Sequence, residues 1–177
     1  MKKFILVSIF FAFFSCNKVD LPKPNIIIIY ADDLGYGDVS SYGLGTLQTP
    51  NIDKIANDGI RFTNGYASSA TCSPSRYALM TGTYPWRNKN AKILTGANLI
   101  IDTTEMTLPK MFKSMGYQTG IVGKWHLGLG DGPVNHNEFI SPGPNEVGFD
   151  HSFIMADTQD RVPTVYIENG YVVNLDT

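Results

Sequence analysis

Cysteine is almost missing from this sequence: Cys16 and Cys72 are the only two among 177 residues. That excludes a disulfide-dense scaffold and leaves at most one bridge. There is also no excess of charge of either sign. Fourteen Lys and Arg stand against 16 Asp and Glu, a net charge of -2, which excludes the electrostatic footprint of a nucleic-acid binder. No apolar run is long enough to cross a bilayer as a helix, since the longest covers Phe4 to Phe14. No internal repeat and no low-complexity segment is found. What remains is a chain that is 43% hydrophobic and 17% charged, a composition that predicts a packed globular core. Its 10 prolines and 17 glycines predict many loops, where functional residues tend to sit.

The first residues read as a separate unit. Lys2 and Lys3 followed by the short run Phe4 to Phe14 have the make-up of a signal peptide. Ser15-Cys16 then resembles a bacterial lipoprotein cleavage box, which would make Cys16 a lipidated first residue, although Phe13 stands where a leucine is usual. An ordinary cleaved signal is the other reading. The expectation is a leader over 1–15, a tether over 16–24 and a globular part over 25–177. The localisation it implies is export, to the periplasm or as a membrane-anchored lipoprotein. Acylation of Cys16 would leave Cys72 without a disulfide partner.

Along the globular part, Asn25-Ile26-Ile27-Ile28-Ile29-Tyr30 predicts a strand buried on both faces, typical of a parallel sheet. It runs into Ala31-Asp32-Asp33-Leu34-Gly35. Carboxylates at the carboxyl end of a central strand suit a ligand, though Asp before Gly is equally common in turns and caps. Thr49-Pro50 predicts a helix start and Asp58-Gly59 its end, with Ile52, Ile55 and Ala56 as a buried stripe. Arg61 to Tyr66 predicts a short strand, Ser73 to Met80 and Leu108 to Met115 two helices, and Tyr117 to Trp125 a second buried strand. Glu168-Asn169-Gly170-Tyr171 predicts a β-hairpin. This alternation gives an α/β class with a central, mostly parallel sheet flanked by helices. The chain stops directly after a hairpin strand, with no closing element, and so reads as truncated.

The strongest signal is Thr71-Cys72-Ser73-Pro74-Ser75-Arg76, continuing to Thr81-Gly82. Pro74 fits the first turn of a helix, which puts Cys72 at the helix N-terminus, where backbone N–H groups favour negative charge. Arg76, four residues on, faces the same side as Cys72. Left alone, such a cysteine would be a reactive thiol. A second cluster is Gly123-Lys124-Trp125-His126-Leu127-Gly128. Lys124 offers a fixed positive charge and His126 a proton acceptor near neutral pH. The plain alternative is a lysine reaching to solvent and a histidine capping a strand.

Cys-x-Pro-Ser-Arg followed by Thr-Gly resembles the signature of type I sulfatases, in the alkaline phosphatase superfamily. The chain is thereby identified as the N-terminal portion of such a catalytic domain. The resemblance implies a sulfuric ester hydrolase in which Cys72 is oxidised to Cα-formylglycine by a maturation enzyme. One hydroxyl of the hydrated aldehyde attacks sulfur and the other expels sulfate. It implies that Arg76, Lys124 and His126 are catalytic, with Lys124 on the formylglycine and sulfate, and His126 the base for sulfate release. It also implies that Asp32, Asp33 and the group at Cys72 bind a divalent metal, usually Ca2+, with Mg2+ the alternative. The family's remaining ligands have no match before Thr177, which puts the activity of this portion alone in doubt. The implied substrate is a sulfated carbohydrate. Alternatives are a phosphodiesterase or phosphonate hydrolase of the same superfamily and an inactive, lipid-anchored glycan-binding fragment. Among weaker signals, His136 and His151 read as loop residues. Asp160 and Arg161 could touch a sugar, although a loop salt bridge is the simpler reading. Tyr84, Trp86 and Trp125 could stack on a sugar ring or pack in the core.

Overall fold

Residues 22–43, 45–92 and 96–174 are described by a computed structural model of the protein. The leader over 1–15 and most of the tether lie outside the described residues. The chain divides into two units, Met1–Leu34 and Gly35–Thr177.

In the first unit the expected strand Asn25 to Tyr30 is not formed. Residues 25–30 belong to no helix or strand and are exposed throughout. Ile27 and Ile29 are 84% and 82% exposed. A β-branched run is buried only where a sheet supplies a neighbour on each side. Such neighbours are not among the described residues.

The second unit contains the order α1 (Pro50–Asp58), α2 (Cys72–Thr81), α3 (Leu108–Ser114), β1 (Gly120–Lys124), α4 (Pro144–Val147), β2 (His151–Met155), β3 (Tyr166–Glu168) and β4 (Tyr171–Val172). Thr49 precedes α1 as expected, but the helix is anchored by polar contacts rather than by an apolar stripe. Ser40 Oγ donates to Asp53 Oδ2 at 2.6 Å, and Thr49 N donates to Ser40 Oγ at 2.8 Å. Ile52 and Ile55 are 42% and 66% exposed, so the predicted buried stripe is corrected. Arg61 to Tyr66 contains a turn and no strand. Both corrections share a cause: apolar periodicity marks the face that is able to pack, and burial needs a covering element.

α2 begins at Cys72 and ends at Gly82, whose left-handed backbone (φ 65°) lets its N–H reach Ala78 O. α3 is capped by Thr107, which accepts from Lys110 N and donates to Val147 O at 2.5 Å. One cap thus also ties α3 to α4.

The α/β class is as expected. The four described strands lie in the order β1-β2-β3-β4. β1 and β2 are parallel, with Lys124 opposite Met155. The β2–β3 and β3–β4 pairs are antiparallel, so the sheet is mixed. The expected buried strand Tyr117 to Trp125 shrinks to Gly120–Lys124, and Val122 is 77% exposed, since burial of a strand side chain needs an element packed on that face of the sheet. The core gathers Tyr77 from α2, Trp125 and Leu127 from after β1, Val147 from α4, Ile154 from β2 and Ile167 from β3. Burying each large apolar side chain contributes about 1.5–3 kcal/mol. This core fixes α2 against the carboxyl end of β1. Among the described residues no helix is long and apolar enough to cross a membrane.

The hairpin forms at the expected dipeptide. Asn169 and Gly170 have φ of 46° and 85°, the left-handed pair that a two-residue turn of the I′ type requires. A Cβ on Gly170 would sit 2.5 Å from Phe139 Cε2 and 2.9 Å from Ile140 O. Gly170→Ala is therefore expected to destabilise the protein by about 1–3 kcal/mol. Urea unfolding of the complete protein checks this, with unchanged stability as the adverse result.

Candidate active site

The N-terminal turn of α2 is fastened to the end of β1 by side chains that sequence order places one helical turn apart. Ser73, 2% exposed, donates from Oγ to His126 O at 2.7 Å. Arg76 Nη1 donates to Lys124 O at 2.6 Å. Each bond ends on the main chain just beyond or at the end of β1, so the helix is fixed in both position and rotation. The Arg76 bond carries a charged donor and is worth roughly 1.5–3 kcal/mol. With the helix so held, Lys124 Nζ lies 3.1 Å from Cys72 Sγ. Cys72 is a half-buried free cysteine. Three of the four expected catalytic residues thus meet in one contact chain: Cys72, Lys124 and Arg76. The Lys124 ammonium group and the N-terminal turn of α2 thus stand beside residue 72, where an anionic group of a substrate would meet positive potential.

His126 lies next to this chain. It is 2% exposed, and neither Nδ1 nor Nε2 has a hydrogen-bond partner among the described residues. Burial depresses its pKa below the usual value of 6.5. The charge of Lys124 adds to that effect, Asp157 opposes it, and Arg161 and Arg76 add smaller depressions. The imidazole is thereby held neutral and able to take a proton. β1 ends at Lys124, so strand alternation does not carry through to His126. That residue instead takes a left-handed backbone with φ 51°, a conformation uncommon for a side-chain-bearing residue and often found where a site imposes it. Its N–H donates to Ala156 O at 2.9 Å, and Trp125 N donates to Met155 O at 2.9 Å. The end of β2 therefore pins the turn. Trp125 is 1% exposed and donates from Nε1 to Gly128 O at 2.7 Å. It is a core residue, which removes it as a sugar platform.

Asp32 and Asp33 lie in the first unit and are both exposed. Asp33 has φ 56°, which orients the turn after the isoleucine run. Their oxygens suit a hard dication. Among the described residues no group of three or more His, Cys, Asp or Glu is arranged to hold a metal, so these two residues fit part of a ligand set and not a complete one. His151 opens β2 rather than lying in a loop, and its Nε2 is 3.0 Å from Glu168 Oε1 on β3. Tyr84 and Trp86 are exposed and stack on each other at 4.0 Å.

Sequence reasoning missed two parts of the site. Ser73 reads as an ordinary helix residue, and only its partner, 53 residues away, gives it a role. β2 was also missed: the short apolar run Phe153-Ile154-Met155 was the available signal, and the alternation that buries Ser152 and Ile154 is visible only in the structure.

A family model described as sulfatase matches residues 24–173. The chain is 54% identical over 162 residues to an N-acetylgalactosamine-6-O-sulfatase of Bacteroides thetaiotaomicron, a match that spans 90% of this chain and 32% of that protein. It is 44% identical over 114 residues to the steryl-sulfatase of Homo sapiens, spanning 60% of this chain and 20% of that protein. Among solved structures it matches one from work on the metabolism of multiple glycosaminoglycans by Bacteroides thetaiotaomicron, with a TM-score of 0.84 and 54% identity over 87% of this chain and 32% of that one. The crystal structure of Ps i-CgsB matches with a TM-score of 0.69 and 31% identity, over 86% of this chain and 38% of that one. The chain therefore spans about a third of the length of the first of these relatives. With the motif, the α/β fold and these matches in agreement, the chain belongs to the sulfatase family.

Proposed function

We propose that this chain carries the sulfate-handling end of a sulfuric ester hydrolase that acts on sulfated carbohydrate through a formylglycine made from Cys72. The observation that carries the reading is the 3.1 Å contact between Lys124 Nζ and Cys72 Sγ on a helix N-terminus braced by Arg76. Relatives named for a 6-O-sulfated amino sugar and for glycosaminoglycan metabolism support a glycan substrate.

The unmodified Sγ stands in for the modified side chain, which would supply a pair of hydroxyls for attack on sulfur and later release of sulfate. Lys124 neutralises the sulfate oxygens as negative charge builds there. Arg76 positions Lys124 through its main-chain carbonyl and adds positive potential on the same side. His126, neutral and buried, takes the proton given up as sulfate leaves. Asp32 and Asp33 would supply oxygen ligands to Ca2+ or Mg2+. The reading also includes a maturation enzyme as partner and export, with Cys16 as the lipid anchor.

Intact-peptide mass spectrometry across Cys72 from a host that matures sulfatases is expected to show loss of the thiol in favour of an aldehyde. Wholly unmodified cysteine contradicts the reading. In the complete protein, Cys72→Ala and Arg76→Ala are each expected to lower sulfate release at least roughly a hundredfold. Near-normal turnover in either overturns its role.

The depressed pKa of His126 sets a pH dependence. A base works when neutral, so the acid limb of kcat against pH is expected below pH 6.5. The same sign applies to stability. The unfolded chain takes up this proton first as pH falls, so stability is full above 6.5 and declines as pH drops toward the folded pKa. An acid limb above 6.5 that persists in His126→Ala removes His126 from this role.

A further inference from the structure

The aromatic pair beyond the far end of α2 has no part in the mechanism above. α2 ends at Gly82, and the chain then passes through Tyr84 into a short 3₁₀ turn, Pro85–Arg87. Pro85 and Ala91 are buried and anchor this segment. Arg87 N donates to Tyr84 O at 3.0 Å, Asn88 N to Pro85 O at 3.1 Å and Ala91 N to Asn88 O at 3.0 Å. The backbone from Tyr84 to Ala91 is thus fixed, yet Tyr84 and Trp86 are 54% and 70% exposed. Their rings stack with centroids 4.0 Å apart and planes 16° from parallel. Each ring holds the other in place, so the pair offers a platform that loses little freedom on binding.

Charge sets this patch apart. Between Asp58 and Asp102 the sequence has no acidic residue, while it has Arg61, Arg76, Arg87, Lys89 and Lys92. The last three follow Trp86 directly and are exposed. Among the described residues none of the three is in an ion pair. The whole chain carries a net charge of -2, so the excess is local to this segment. The ten residues of α2 rise about 15 Å, which puts the patch well beyond the reach of a sugar ring whose sulfate lies at Cys72.

We infer that Tyr84, Trp86, Arg87, Lys89 and Lys92 form a second binding site, which holds a sulfated glycan chain at a stretch remote from the sulfate being removed. The apolar C–H face of a sugar ring packs on an aromatic face, and sulfate groups pair with ammonium and guanidinium. The choice of a sulfated glycan as occupant rests on the sulfatase reading.

The test uses the complete protein with Cys72→Ala, so that no probe is consumed. Binding of chondroitin 6-sulfate chains is read by isothermal titration calorimetry, with N-acetylgalactosamine 6-sulfate in excess to occupy the site at residue 72. Trp86→Ala and the double variant Lys89→Gln, Lys92→Gln are each expected to weaken binding roughly tenfold or more. Trp86→Phe keeps an aromatic face and is expected to stay within about threefold of the parent. Added salt is expected to weaken the parent more than the double variant. Unchanged binding in both the alanine and the double variant overturns the inference. So does a parent that binds no chondroitin 6-sulfate, that loses it to the monosaccharide, or that binds single-stranded oligothymidine equally well. None of these outcomes touches the sulfatase reading, which fails separately if the matured protein with Cys72 intact hydrolyses no sulfate ester.

Discussion

The site depends on one constraint, the docking of a helix N-terminus onto the end of a strand by Ser73 and Arg76. Both side chains donate to main-chain carbonyls, at His126 and Lys124. A main-chain acceptor cannot swing away as a side chain can. The helix is therefore registered against the strand, and the contact between Lys124 and Cys72 follows from that registration. Electrostatic catalysis needs donors already in place when charge develops. Here the cost of ordering the lysine is met by the fold.

Much of this was legible in the sequence, for reasons that are local. Pro74 and Gly82 bracket α2 because the first needs no N–H donor and the second takes a left-handed backbone. Asn169-Gly170 fixes a turn by the same logic. Cys72, Arg76 and Lys124 are recognisable because helix spacing and motif agree. The failures are of another kind. The run Asn25 to Tyr30, the stripe Ile52 and Ile55, and Arg61 to Tyr66 all carry apolar patterns, and each is exposed or irregular here. A pattern states which face can pack, and the element that covers it is set by distant chain. The stretch matched spans only 32% of one relative and 20% of another.

His126 shows where local reasoning stops. Alternation along a continuous strand would set its side chain on the same side as that of Lys124, but the strand ends first and the backbone turns left-handed. That turn buries the ring and leaves both nitrogens without a partner among the described residues. A buried polar ring without a partner costs free energy. A substrate that brings a proton donor or acceptor to it recovers that cost, which is the behaviour expected of a catalytic base.

The most direct measurement is a crystal structure of the complete Cys72→Ser protein soaked with a sulfated monosaccharide. The account predicts sulfate at the N-terminus of α2, with its oxygens in hydrogen-bond contact with Lys124 Nζ and the residue 72 side chain facing sulfur. Sulfate bound elsewhere, or Lys124 turned away from residue 72, would contradict it.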